Sequence, residues 1–209
     1  ISDVTFRGRP TGLRLNGASN VRLTRVVARN NSVNGLWLEN GATGVVVRHS
    51  VFWGNSNAAV RVDSGSVGIT NSVVVAAGSE AYGYVAQSAA QILGNYNNFY
   101  AFSNALVGWI AALGRNQDTL AAWSGETGQE RHSLGMDPLF ADAGAGDFHP
   151  KTATPNGRYV FGAGFTGTDT ETSPLIDSGN PASDFALEPA DNGGRVDIGD
   201  GEARRPLVR

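Results

Sequence analysis

The 209-residue chain has no cysteine, one lysine (Lys151) and one methionine (Met136). Without cysteine there is no disulfide framework, no thiolate metal centre and no cysteine nucleophile. Charged residues make up only 17% of the chain, and the net charge of −3 is far from the strongly basic balance of a nucleic-acid binder. No apolar run approaches the roughly 18 residues that a membrane-spanning helix needs. Prolines number 8 against 28 glycines, which points to many turns and few long helices. What remains is 41% hydrophobic, enough to bury a core. Charge is uneven: residues 1–136 carry 10 basic and 7 acidic side chains, residues 137–209 carry 6 and 12. The chain opens at Ile1, already inside a strand-like segment, so further residues upstream are expected.

The dominant signal is an internal repeat. Val21-Arg22-Leu23, Asn30-Asn31 and Gly35-Leu36-Trp37-Leu38-Glu39-Asn40-Gly41 recur 24 residues later as Val45-Val46-Val47, Gly54-Asn55 and Ala59-Val60-Arg61-Val62-Asp63-Ser64-Gly65. His49-Ser50-Val51-Phe52 recurs after 22 residues as Asn71-Ser72-Val73-Val74, and a fainter Asn98-Phe99-Tyr100 follows 26 further on. A partial copy, Val4-Thr5-Phe6 with Leu13-Arg14-Leu15-Asn16-Gly17, opens the chain. Alternation within each copy has period two, so the units are strands. Stacked at about 4.8 Å, each strand pairs in parallel with its copies above and below. Val21, Leu23 and Val26 then face inward, as do Val45, Val47 and Ser50, and Val67, Ile69 and Ser72. Asn31 over Asn55 makes an internal ladder at a bend.

This pattern resembles the parallel β-helix repeat proteins of the pectate-lyase-like superfamily. The tail adds a second resemblance, to the C-terminal end of large secreted bacterial β-helix proteins: Thr119-Leu120-Ala121-Ala122-Trp123, Gly135-Met136-Asp137-Pro138-Leu139-Phe140, Gly146-Asp147-Phe148-His149 and Ser173-Pro174-Leu175-Ile176-Asp177-Ser178-Gly179-Asn180-Pro181. The chain departs from it where Asp197-Ile198-Gly199 runs into Asp200-Gly201-Glu202 instead of an aromatic residue and a small-residue turn. The resemblance implies an all-β, right-handed parallel β-helix with coils of about 22–26 residues, and a secreted or cell-surface location. Residues 1–100 are expected to form the coils, 101–136 an insertion with a short helix from Asp118 through Trp123 towards Gly125, and 137–209 irregular final coils and a cap. The outward apolar column Val27, Val51, Val73 and Phe99 calls for a cover, supplied by the insertion or another part of the tail.

The repeat also states which outward side chains are neighbours. Glu39 over Asp63 is a carboxylate pair able to hold Ca²⁺, or splayed into solvent at a turn. Trp37 over Arg61 and Arg29 over Trp53 are cation–π arrangements, suited to an acidic polysaccharide or to stabilising the stack. Arg25 over His49, with Arg48 alongside, is the densest cationic cluster. The resemblance implies that a polysaccharide lyase of this fold would use an arginine or lysine base, often with Ca²⁺; that points to Arg25, Arg48 and His49, because Lys151 lies in the tail. The Asn-Thr-Asp, Asp-Asp and Gly-His-Gly signatures of the polygalacturonase-type hydrolases are absent. The acidic stretches 142–147 and 197–202 suit either Ca²⁺ or ordinary turns. Three functions follow in order: a non-catalytic scaffold or carbohydrate-contacting segment, the C-terminal part of a lyase acting on an acidic polysaccharide, and an adhesin or phage tail-spike-like β-helix, usually trimeric.

Overall fold

The computed structural model describes residues 1–199 except 161–162, 168, 186–187 and 189–192. Its body is a parallel β-solenoid of five coils. The first comprises β1 (Ser2–Arg7) and β2 (Thr11–Asn16); the second, β3 (Arg22–Arg29) and β4 (Asn34–Glu39). Coil three holds β5 (Ala42–Arg48), β6 (Val51–Trp53) and β7 (Ala58–Val62), and coil four β8 (Gly65–Thr70), β9 (Val73–Ala77) and β10 (Tyr82–Ala86). The fifth, β11 (Ile92–Asn95), β12 (Asn98–Phe102) and β13 (Leu106–Ile110), runs through Ile110. Strands β2, β4, β7, β10 and β13 form one parallel face. A second sheet is folded into two faces, because β3 pairs with β5 along its first half and with β6 along its second.

The fold is made by one bend repeated in every coil. Asp3, Arg25, His49, Asn71 and Tyr96 all sit at φ between 49° and 56°. Non-glycine residues rarely adopt this left-handed conformation, so a whole column of them is an architectural device. It turns the strand and sends the next residue inward, where Val26, Ser50, Ser72 and Asn97 stack. Their polar atoms continue the hydrogen bonding that the bend interrupts. The Val26 amide donates to Ser50 Oγ at 3.1 Å, the Ser50 amide to Ser72 Oγ at 3.2 Å, and the Ser72 amide to Asn97 Oδ1 at 2.9 Å. At the next corner the expected asparagine ladder is present: the Asn31 amide and Nδ2 both donate to Asn55 Oδ1, at 3.2 and 2.9 Å. Gly35 lies against this ladder because a Cβ there would meet Ala59 O at 2.6 Å and Asn55 Nδ2 at 2.8 Å.

Inward apolar residues form columns along the bore: Leu23–Val47–Ile69, Leu36–Val60–Tyr84 and Ala28–Phe52–Val74–Phe99. Phe99 therefore belongs inside. The register from β9 to β12 is 25, pairing Val74 with Phe99 and Val73 with Asn98, so the outward placement of Phe99 is corrected. The helix also differs. It is α1 (Leu120–Thr127), capped by Thr119 Oγ1, which accepts from the Ala122 amide, and closed by Gly128. Preceding it, β14 (Arg115–Gln117) pairs antiparallel with β13 and ends that face. Trp123 is fully buried in the bore against Tyr84, their ring centroids 5.2 Å apart; the helix plugs the end of the stack and leaves the outward column alone.

That outward column is covered by the tail. Two short hairpins, β15 (Phe140–Asp142) with β16 (Asp147–Pro150) and β17 (Arg158–Val160) with β18 (Gly164–Thr166), form sheets of their own and add nothing to the solenoid ladders. Phe140, Phe148, Leu175 and Ile198 instead pack over Val27, Val51, Val73 and Val75 as a second core. Polar pins flank it: Asn71 Oδ1 accepts from the Asn180 amide at 2.7 Å, and the Asn71 carbonyl from the Gly199 amide at 2.9 Å.

Candidate functional site

The outward face of β2, β4 and β7 carries the most organised array of charged and aromatic side chains. Arg14, Trp37 and Arg61 occupy one register column. The indole lies between two guanidiniums, with Arg14 Cζ 4.5 Å and Arg61 Cζ 5.5 Å from its ring centroid. Trp37 Nε1 donates to Asp63 Oδ2 at 2.8 Å, and Arg61 Nε to Asp63 Oδ1 at 2.8 Å. One coil earlier, Arg14 Nε donates to Glu39 Oε1 at 2.7 Å. Glu39 and Asp63, read as a carboxylate pair able to hold Ca²⁺ or as side chains splayed into solvent, each engage an arginine. Both faces of the indole are taken, so any further ligand meets the guanidinium edges. Residues Val85 and Trp109 continue the column on coils four and five; Trp109 had no place in the repeat pattern because its copy is too degenerate.

Arg29 and Trp53 hold paired register positions across β3 and β6, but they lie beneath the tail, where the guanidinium turns to tail carbonyls and the expected cation–π contact with the indole is not made. Arg29 is 8% exposed and donates to the carbonyls of Gly144 and Ala145, at 3.5 and 3.3 Å. Trp53 packs against Phe102, Phe140 and Phe148 with centroids 5.9–6.4 Å apart. These two residues anchor the tail and do not share a surface with Trp37.

Arg25, Arg48 and His49 come together at the bend. Arg25 forks onto Asp3, Nε to Oδ1 at 2.8 Å and Nη2 to Oδ2 at 3.0 Å. His49 Nε2 lies 3.4 Å from Asn71 Nδ2. Burial, then the positive charges of Arg25 and Arg48, hold the imidazole pKa down at about 4, so it is neutral at pH 7 and Nε2 accepts from Asn71. A base that weak is poorly matched to proton abstraction near neutrality. The left-handed backbone of Arg25 and His49 recurs at Asn71 and Tyr96, so it reports the bend and not catalysis.

Among the described residues no group of three or more His, Asp or Glu is placed to hold a metal ion. Asp142 Oδ1 accepts from the Ala145 amide and Asp147 Oδ1 from the His149 amide, as turn residues do. Asp200 and Glu202 lie outside the described residues. No helix among the described residues is long and apolar enough to cross a membrane. Comparison of the chain with protein-family models, with curated proteins and with solved structures finds no match in any of the three.

Proposed function

We propose that this β-solenoid is a non-catalytic scaffold outside the cell whose Arg14–Trp37–Arg61 face contacts an acidic polysaccharide. The observation that carries the reading is the rigid alternation of guanidinium, indole and guanidinium along one column. Parallel pairing sets it at about 4.8 Å per coil, close to the step of one sugar ring along an extended chain. Guanidinium forks suit carboxylate or sulfate groups, and holding them against an indole removes the entropy that free arginines would lose on binding. The Arg25, Arg48 and His49 cluster supports a lyase less well, because the imidazole is a weak base.

Affinity electrophoresis through gels containing acidic or neutral polysaccharides, with and without Ca²⁺, tests the proposal. Retardation by the acidic polymers alone, reduced several-fold in Arg61→Ala with the far-UV spectrum unchanged, is the expected result. No retardation by any acidic polymer removes the contact role and leaves the scaffold. Absorbance from unsaturated products, lost in His49→Ala, replaces the reading with a lyase.

A further inference from the structure

The polar ladder inside the bend ends on a buried acid. After Asn97, the next rung is Ser133: the Asn97 amide donates to Ser133 Oγ at 2.8 Å, and Ser133 Oγ lies 2.5 Å from Glu130 Oε2. Glu130 is 2% exposed. Its Oε1 also accepts from Tyr84 Oη at 3.1 Å, and both of its oxygens lie 3.0 Å from Asn97 Nδ2. The carboxyl occupies the place where the column Leu23–Val47–Ile69 would continue, and the next residue of that column is Gly94, whose missing side chain makes the room.

Around this acid, residues 130–136 behave as part of a sixth coil. The Glu130 amide donates to Gly94 O at 2.8 Å, the Leu134 amide to Asn97 O at 2.8 Å, and the Phe99 amide to Leu134 O at 2.8 Å. Asn98 clasps Met136 through both amide atoms, at 2.9 and 3.3 Å. This segment covers the strand edge that β11 and β12 would otherwise expose.

We infer that Glu130 is a proton-operated latch: protonated, it locks segment 130–136 onto the last coil, and ionised, it loosens that cover and uncovers the β11–β12 edge. Every group that reaches the carboxyl is a neutral donor. Tyr84 of β10 is the titratable one; Arg131 turns to the Gly128 carbonyl, His132 stacks on Tyr96 and bonds Asn95, and Glu126 of α1 faces Arg115. No counter-charge appears among these contacts, so ionisation leaves a negative charge in the bore held by hydrogen bonds alone. Burial accordingly raises the carboxyl from 4.5 to about 7, against the opposing pull of Ser133, Asn97 and Tyr84. The proton is bound more tightly in the closed state, so closure is strongest below about pH 4.5, weakens as pH rises from there to about 7 and levels off above.

Hydrogen exchange of the Leu134 and Phe99 amides, corrected for intrinsic rates, reads the latch in the intact chain. Between pH 5 and 8.5 the expected protection falls at least tenfold in the wild type and stays flat in Glu130→Gln, which keeps the shape of the side chain without its charge. In a Glu188→Gln background, which removes the other carboxyl raised to about 7, an infrared band of a protonated carboxyl that titrates near pH 7 and is lost on adding Glu130→Gln checks the same proton. Equal pH dependence of protection in both proteins, or no such band, overturns the latch.

Discussion

Trp123 occupies the space that a side chain at Gly108 would need. A Cβ on Gly108 would lie 2.5 Å from two indole carbons, and Gly108 follows Tyr84 in its inward column. Gly108→Ala should therefore destabilise the protein by about 1–3 kcal/mol through overpacking. Gly125→Ala in α1, where nothing lies within 4 Å, should be neutral or stabilising. Urea midpoints of the two variants check the contrast, and equal effects would remove the plug from the account.

The asparagine corner gives a second test. Asn55→Ala removes the acceptor of the Asn31 amide and the donor to Ala28 O, both buried. A loss of about 1–3 kcal/mol per abandoned group is expected. If denaturation shows less than 1 kcal/mol in total, water fills the corner and the ladder is dispensable.

Tail docking is separable from the coils. Val51 is fully buried under the tail core. Val51→Asp should expose residues 137–199 to limited proteolysis while the far-UV spectrum of the solenoid persists. Simultaneous loss of both would show that the coils depend on their cover.

Acid and base act on the fold with opposite signs. His49 titrates at about 4 in the folded chain against 6.5 unfolded, so stability is lost as pH falls from 6.5 towards 4. Glu188 and Asp197 are raised by burial to about 7 and about 6, so their contribution is lost as pH rises from about 4 towards 7. Melting temperature against pH should decline less on the acid side in His49→Asn, and less on the alkaline side in Glu188→Gln. An unchanged acid limb in His49→Asn would mean that the imidazole is solvated in the folded chain.

The solenoid is legible in the sequence because each coil repeats the same inward residues at a nearly constant interval, and parallel pairing turns that interval directly into register. Trp37 over Arg61 and Asn31 over Asn55 follow from subtraction alone. Phe99 was displaced because the step from β9 to β12 is 25 residues where the faint copy reads as 26, and in a strand one residue reverses the face. Arg29 and Trp53 share the register position that the repeat requires, yet the cover of Arg29 comes from Gly144 and Ala145, 115 and 116 residues away, which no local pattern announces. Glu130 was invisible for the same reason: a single acid in an irregular segment acquires its role only from Gly94 and Asn97.

Beyond the fifth coil the stack is closed by Trp123, Glu130 and antiparallel β14. A solenoid grows only by adding strands to an unpaired parallel edge. A second copy of the chain therefore cannot prolong the parallel ladders from this side, and end-to-end fibre growth through β11, β12 and β13 is blocked.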